Sequence, residues 1–249
     1  MENIPVSVVT YLNSIPFIYG LEHSGYARNF RFSKDIPSVC ADKLFRGEVS
    51  IGLIPSAEML RINPHYNISD LCIGADGIVD SVILASSVPV SEIQTIYMDY
   101  HSRTSVLLAR ILASGFWNIR PEYIPLTEEA DSRLLSDGSA VVAIGDKTFN
   151  ITAPYIYDLS EQWMRYTGLP FVFACWISRI KMPEDLQKDF NKALHWGVEH
   201  IEDAIAAQTN LPCSKEQALL YLTRRIDYAF DAQKQKALEL FHQMIRTVI

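Results

Sequence analysis

The chain has 249 residues, of which 49% are hydrophobic and 20% charged, a composition that excludes a disordered chain and suits one large or two small domains. Its net charge of -7 argues against a general nucleic-acid-binding surface, although a local cluster of hydrogen-bond donors can hold an anion in an acidic protein. No apolar stretch suffices for a transmembrane helix and no signal peptide is recognisable, so we expect a cytoplasmic protein without a membrane partner.

The first part of the sequence alternates strand and helix patterns. Strands are predicted for "VSVVTYL" (6–12), "FRFSKDI" (30–36) and the start of "VSIGLIPSAEML" (49–60). Helices are predicted for "IPFIYGLEH" (15–23), which has Pro16 in its first turn, and for "PSVCADKLFRGE" (37–48), which ends at Gly47. Another helix should start at Pro55 and Ser56. This β-α-β-α-β order favours an open α/β sheet.

A second series of elements follows. Residues 71–86 look like two paired strands around a Gly-Ala-Asp-Gly turn, and a further strand is predicted over 94–99. A helix then begins within "HSRTS" and stops at Gly115. More strands are predicted at "EYIPL", "SAVVAIGDKTF" and "FVFACWIS" (171–178), and the sequence after Pro183 has helical periodicity.

We therefore predict an α/β protein with two lobes. Residues 1–87 together with 178–249 should form the first, discontinuous lobe, and residues 88–177 should form the second. The chain would cross between the lobes near 86–92 and 175–180, with a ligand cleft between them.

Familiar catalytic and metal motifs are missing from the sequence. There is no GxSxG, GxGxxG, Walker, HExxH or EF-hand pattern. The four cysteines lie far apart, which indicates buried free thiols rather than a zinc site or a disulfide framework. His195 and His200 are five residues apart and so face different sides of a helix, which makes a metal site there improbable.

Hydroxyl and amide side chains recur where predicted strands lead into helices or turns. These corners carry Thr10, Tyr11, Asn13 and Ser14, then Ser56, Ser81, Ser102, Thr104 and Ser105, and finally Gly145 and Asp146. Each hydroxyl alone could simply cap a helix. Together they suggest a binding site, because ligands of open α/β sheets bind at the carboxyl ends of strands, where helix N-termini favour anions.

The segment "HSRTS" is the sharpest of these corners. Three hydroxyls, a helix N-terminus and Arg103 within a few residues suit a carboxylate or phosphate group. Arg103 has two open interpretations, since it could face the ligand or form a structural ion pair.

The ordered set of corner motifs resembles one enzyme family. "TYLNSIP", "DIPSVCADKLFRGEVSIGLIPSAEML", "VDSVILAS", "MDYHSRTS", "AIGDKTF" and "DLSEQWMRYTGLPFVFACW" together resemble chorismate dehydratases, the first enzymes of the futalosine route to menaquinone. The resemblance covers about residues 6–180. One departure is Thr10, where the family usually has serine; this keeps the hydroxyl but adds a methyl group.

The resemblance implies a type II periplasmic-binding-protein-like fold and a hydro-lyase that needs no cofactor or metal. The implied reaction removes water from chorismate, an anionic small molecule, to give 3-[(1-carboxyvinyl)oxy]benzoate. Asn13 would be the catalytic residue, with Thr10 and Tyr11 beside it. Ser81, Ser102, Thr104 and Ser105, with Arg103 nearby, would hold the carboxylates, and the backbone at Ser56 and Gly145 would close around the ring.

The proton acceptor is left open by the sequence. Asp146 is the closest carboxylate in the motifs, and a carboxylate of the substrate is the alternative. Three other functions also stay open: a non-catalytic anion receptor, the sister lyase that acts on cyclic dehypoxanthine futalosine, and an anion-sensing domain. The "YLN" corner favours the dehydratase over the sister lyase.

Overall fold

A computed structural model describes residues 3–99, 102–126 and 135–248. The chain forms two compact units, each built from two stretches of sequence. The first consists of Met1–Gly74 and Val172–Ala232, and the second of Ala75–Phe171 and Gln233–Ile249. Both units combine helices with a mixed sheet, so the predicted α/β class is confirmed.

The first unit contains a six-stranded sheet in the order β11-β4-β10-β3-β1-β2. Its strands are β1 (Ile4–Val9), β2 (Phe30–Asp35), β3 (Ile51–Pro55), β4 (Tyr66–Ala75), β10 (Phe171–Ser178) and β11 (Asp227–Ala229). Strand β1 lies between β2 and β3 and pairs in parallel with both. The carboxyl ends of these three strands therefore share one edge of the sheet, whereas β10 runs antiparallel to β3.

Helices α1 (Ile15–His23), α2 (Pro37–Arg46), α5 (Glu184–Glu199), α6 (Ile201–Ala206) and α7 (Lys215–Leu220) complete the first unit. Helix α2 ends as predicted, because Gly47 adopts a left-handed conformation with φ of 76°. Helices α1 and α5 cross through Gly20 and Gly197: a Cβ atom on Gly197 would collide with the carbonyl oxygen of Pro16. Only glycine permits such a close approach.

The core of the first unit lies between the sheet and helices α1 and α5. The indole of Trp176 on β10 makes edge contacts with the rings of Phe17 and Phe190, and all three side chains are fully buried. Phe17 also contacts the ring of Tyr228 on β11. These aromatic contacts join the first and last segments of the unit and add to the free energy gained by burying the rings.

The second unit contains a five-stranded sheet in the order β7-β6-β8-β5-β9. Its strands are β5 (Val82–Ser86), β6 (Thr95–Met98), β7 (Glu122–Pro125), β8 (Ser139–Ile144) and β9 (Tyr155–Asp158), and its helices are α3 (Arg103–Gly115), α4 (Leu159–Thr167) and α8 (Ala232–Ile245). Strand β6 is parallel to β8, and β8 is antiparallel to β5. The end of β6, the end of β8 and the start of β5 therefore meet at one edge.

The observed units differ from the predicted lobes at two places. The chain leaves the first unit after Gly74 rather than near 86–92, because β5 pairs with β8 and β9 in the second sheet. Helix α8 groups with the second unit, although the sequence predicts that the whole tail belongs to the first lobe. The reason is packing: the ring of Phe241 makes edge contacts with Trp163 and Phe171.

Three local predictions need correction. The strands predicted as a pair over 71–86 exist as β4 and β5, but they belong to different sheets. The helix predicted at Pro55 and Ser56 is a short 3-10 helix, Ser56–Arg61. The tail is not wholly helical, since β11 adds a short strand to the first sheet.

Candidate functional site

The corner after β1 carries the residue that we predicted to be catalytic. Thr10 follows the strand, and its backbone N–H donates to the carbonyl oxygen of Asp35 at 3.1 Å. Tyr11 then leads into a 3-10 turn, Leu12–Ser14, which passes directly into α1. Asn13 lies in this turn and is partly exposed. Its side-chain Oδ1 accepts a hydrogen bond from the Ser14 hydroxyl at 3.0 Å.

The Asn13 turn is also held by a residue that the sequence analysis missed. The phenol of Tyr228 donates to the backbone carbonyl oxygen of Asn13 at 2.9 Å, across a sequence separation of 215 residues. Tyr228 is buried, and burial first and Tyr221 second raise the pKa of its hydroxyl well above the ordinary value. No local pattern points to this contact, because a strand of three residues near the C terminus provides it.

Ser56 lies at the same edge of the first sheet as the Asn13 turn. It follows β3, which is parallel to β1, and its side chain is fully buried. Two residues further on, the buried carboxylate of Glu58 accepts a hydrogen bond from Arg61 at 2.6 Å. The first unit thus brings Thr10, Tyr11, Asn13 and Ser56 to one sheet edge, as expected for residues that follow the carboxyl ends of strands in an open α/β sheet.

A charged cluster lies at the carboxyl end of β2, at this edge. Asp35 accepts hydrogen bonds from Lys43 at 2.7 Å, Ser33 at 2.6 Å and Ser7 at 2.8 Å. Burial acts to raise the pKa of Asp35, but these hydrogen bonds outweigh it and lower the pKa below the usual 3.8. The carboxylate is fully engaged within the protein, which indicates a structural role in anchoring the end of β2.

In the second unit, Ser81 and Gly145 are brought into direct contact. The Gly145 backbone N–H donates to the carbonyl oxygen of Ser81 at 2.8 Å, at the point where β5 begins and β8 ends. Gly145 has φ of 70° and starts a 3-10 turn, Gly145–Asn150, that also contains the partly exposed Asp146. The Thr148 hydroxyl donates to the Gly145 carbonyl oxygen at 2.8 Å and closes the turn.

The N-terminus of α3 follows β6 at the same edge. Ser102 caps the helix, because its Oγ accepts the backbone N–H of Ser105 at 3.1 Å, and the two hydroxyls lie 3.0 Å apart. Thr104 is buried, whereas Arg103 is exposed. The capping interpretation of Ser102 is therefore correct, and it is compatible with a ligand role because the helix N-terminus still favours a negative charge. Tyr100 and His101 of the same motif lie outside the described residues.

An ion pair that the sequence analysis did not single out connects these two corners. Asp99, which follows β6, forms a salt bridge with Lys147 of the Gly145–Asn150 turn, and the Asp99 side chain is completely buried. Both residues belong to motifs quoted above, "MDYHSRTS" and "AIGDKTF", so the sequence motifs already pointed to the two segments that the ion pair joins. The pair fixes the start of the α3 corner against the turn that contacts Ser81.

Asp158, to which the sequence analysis gave no role, also supports the segment that leads into Ser81. One carboxylate oxygen accepts the backbone N–H groups of Ser160 and Glu161, both at 3.0 Å, and so caps α4. The other accepts Val79 at 3.0 Å and Asp80 at 2.7 Å, immediately before Ser81. Burial raises the pKa of Asp158 to about 6, against the opposing effect of these N–H donors. Asp158 is therefore mostly ionised at neutral pH.

Within the described part of the chain, no group of three or more His, Cys, Asp or Glu side chains has the arrangement of a metal site. His195 contacts Asp70 at 2.9 Å, while His200 bonds to the carbonyl oxygen of Trp196. No helix among these residues is long and apolar enough to cross a membrane.

Comparison with known proteins gives a consistent result. A family profile described as menaquinone biosynthesis matches residues 4–247. The chain is 29% identical over 174 residues to the chorismate dehydratase of Campylobacter jejuni, an alignment that covers 67% of this chain and 63% of that enzyme. It is 28% identical over 193 residues to the chorismate dehydratase of Thermus thermophilus, covering 70% and 69%.

A solved structure with a similar fold agrees with the two-sheet architecture. The Candida albicans CA3427 gene product, described as having the generic periplasmic-binding-protein fold, aligns with a TM-score of 0.64 and 15% identity, covering 99% of this chain and 94% of that one. At this identity the similarity shows the fold alone. The predicted periplasmic-binding-protein-like fold is confirmed, whereas the predicted position of the ligand cleft stays a prediction.

Proposed function

Because the chain belongs to the menaquinone biosynthesis family, we propose that it is a chorismate dehydratase, a hydro-lyase that converts chorismate to 3-[(1-carboxyvinyl)oxy]benzoate and water. The match of nearly the whole chain to this family, with two chorismate dehydratases among its relatives, carries the proposal. The substrate is a small dianion. We further propose a cytoplasmic location and no nucleic-acid partner, consistent with the net charge of -7.

The chemistry of the dehydration fits the uncharged donors at the sheet edges. Removal of the ring C3 proton places charge in the diene and the ring carboxylate, and expulsion of the C4 hydroxyl then completes an aromatic ring. Aromatisation supplies the driving force. The protein therefore needs mainly to orient the dianion and to stabilise developing negative charge, which hydroxyl, amide and backbone N–H donors do well in a site that excludes water.

Each unit carries its own share of the proposed substrate-binding residues. In the first unit, Asn13 would donate from its amide to the oxygen that gains charge, with Thr10, Tyr11 and the backbone at Ser56 beside it. In the second unit, Ser81, Ser102, Thr104 and Ser105 would hold the carboxylates, aided by Arg103 and by the backbone at Gly145. The contact between Ser81 and Gly145 and the N-terminus of α3 support this assignment.

The base that takes the C3 proton has two candidates. Asp146 is one, and a carboxylate of chorismate itself is the other. The Asp146→Asn variant distinguishes them, since it keeps the size of the side chain but removes the proton acceptor. Turnover close to that of the wild-type protein would exclude Asp146 as the base, whereas loss of turnover with chorismate binding retained would assign the role to it.

The function is tested by incubating the purified protein with chorismate and following the aromatic product by ultraviolet absorbance and mass. We expect a product lighter than chorismate by one water, formed in proportion to the protein concentration, with a protein-free sample as the control. Binding without turnover would support an anion receptor instead. Turnover of cyclic dehypoxanthine futalosine but not chorismate would support the sister lyase.

A further inference from the structure

Ser14 occupies a capping position but does not cap its helix. It is the N-cap residue of α1, where a serine hydroxyl usually accepts the backbone N–H of the second or third helical residue. The second residue here is Pro16, which has no N–H, and the Ser14 side chain makes no capping bond. Its hydroxyl instead donates to Oδ1 of Asn13 at 3.0 Å, and the side chain is fully buried.

The direction of this hydrogen bond determines which end of the Asn13 amide is available. A serine hydroxyl that donates to Oδ1 occupies the acceptor and leaves the Nδ2 hydrogens directed elsewhere. Among the described residues, Ser14 is the sole hydrogen-bond partner of the Asn13 side chain. The free end of the amide is therefore a donor, which is the group that a negatively charged oxygen requires.

Tyr228 fixes the backbone of the same residue. Its hydroxyl donates to the Asn13 carbonyl oxygen at 2.9 Å, and its ring is buried against Phe17 of α1. This phenol is protonated at neutral pH, because burial raises its pKa well above the ordinary value. Asn13 is thus held at its side chain by one neighbour and at its backbone by another.

We propose that Ser14 and Tyr228 are positioning residues that make Asn13 an N–H donor to the oxygen that gains negative charge in the dehydration. This inference rests on the proposed function. A donor of this kind works only if it is already in place when the charge develops, because reorganising it would cost free energy in the transition state. The two hydrogen bonds would provide that placement without touching the substrate.

Steady-state kinetics with chorismate test the positioning role through single hydroxyl deletions. Ser14→Ala and Tyr228→Phe should each lower kcat about ten- to a hundredfold, the loss expected from a displacement of about 1 Å. KM should change little, since neither side chain binds the substrate. Ser14→Thr keeps the hydroxyl and should restore most of the activity, which a purely structural role would not predict.

Matched controls separate positioning from general destabilisation. Ser24→Ala removes a hydroxyl at the other end of α1, and Tyr157→Phe removes a tyrosine hydroxyl in the second unit that accepts the backbone N–H of Val90. Both should keep the wild-type kcat. If Tyr228→Phe fails to fold, Ser14→Ala and Ser14→Thr decide alone. Ser14→Ala with the wild-type kcat would overturn the proposal.

The Asn13→Asp variant tests the donor role itself. A carboxylate can still accept from Ser14 but has no N–H to offer, so we expect it to be as inactive as Asn13→Ala. An active Asn13→Asp variant would show that the residue acts as an acceptor, and the inference would be wrong. A wild-type protein without turnover would instead refute the proposed function, so the two failures are distinguishable.

Discussion

A substitution of Asp158 tests which hydrogen bonds stabilise the segment before Ser81 and the start of α4. Its two oxygens accept four backbone N–H groups, from Val79, Asp80, Ser160 and Glu161, at 2.7–3.0 Å. The Asp158→Asn variant has nearly the same shape, but one oxygen becomes an amide that cannot accept. Two of the four N–H groups would then lose their partner, either at the start of α4 or in the segment before Ser81.

The size of the effect follows from this count. Each buried N–H left without an acceptor costs about 1–3 kcal/mol, and one of the Val79–Asp80 pair is partly buried, so we expect Asp158→Asn to lower the free energy of unfolding by about 3 kcal/mol. Asp158→Ala should cost about 1 kcal/mol more, because the helix cap is lost as well. For a chain of this size, 3 kcal/mol corresponds to a fall in Tm of about 6–12 °C.

Thermal unfolding followed by circular dichroism measures the change, and hydrogen exchange localises it. Exchange in Asp158→Asn should increase at residues 79–81 or 160–161 and stay unchanged in α1. The control is Glu161→Gln, which removes the negative charge paired with Arg165 near the surface, while its amide oxygen can still accept from Gln162; it should cost less than about 1 kcal/mol. An Asp158→Asn protein with the Tm of the control would refute the assigned role.

Three further changes should have measurable effects. Gly197→Ala places a methyl group against the α1 backbone and should lower the free energy of unfolding by about 3 kcal/mol in a thermal melt, while Glu22→Ala on the exposed face of α1 should have little effect. Asp35→Asn should be less stable than wild type at neutral pH. In melts at decreasing pH this difference should start to shrink near the ordinary carboxyl pKa of 3.8 and disappear once the pH is below the lowered pKa of Asp35 in the folded protein, because stability from a carboxylate of lowered pKa is lost as pH falls. An unchanged difference at low pH would contradict this. Lys147→Met should destabilise by about 3 kcal/mol by leaving the buried Asp99 without its lysine, and adding Asp99→Leu should recover most of this loss in urea unfolding.

Local chemistry explains which parts of the fold could be predicted from the sequence. Helix α2 was predicted from Pro37 and Gly47, whose backbone preferences act within a few residues, and the structure has them at its two ends. The pairing of residues 71–86 was predicted wrongly, because the choice between two sheets depends on partners such as β8 and β9, far along the chain.

In the candidate site too, residues in local motifs could be predicted from the sequence, whereas residues that act through tertiary contacts could not. The corner motifs predicted that Ser81 and Gly145 belong to one binding region, and the two residues are in direct contact. The side chains that support these corners were missed because their roles depend on tertiary contacts. Asp158 has a local signal as a helix cap, yet its bonds to Val79 and Asp80 span almost eighty residues, with separations of 79 and 78. No sequence pattern around Tyr228 indicates its hydrogen bond to Asn13.

We propose that the protein dehydrates chorismate with Asn13 as a hydrogen-bond donor. The most direct measurement compares kcat for chorismate between the wild-type protein and Asn13→Ala, with the product identified by mass. We expect the wild type to form 3-[(1-carboxyvinyl)oxy]benzoate and the variant to be about a hundred- to a thousandfold slower, the usual effect of removing one such donor. An Asn13→Ala protein as fast as the wild type would contradict the role of Asn13, and a wild type that leaves chorismate unchanged would contradict the function.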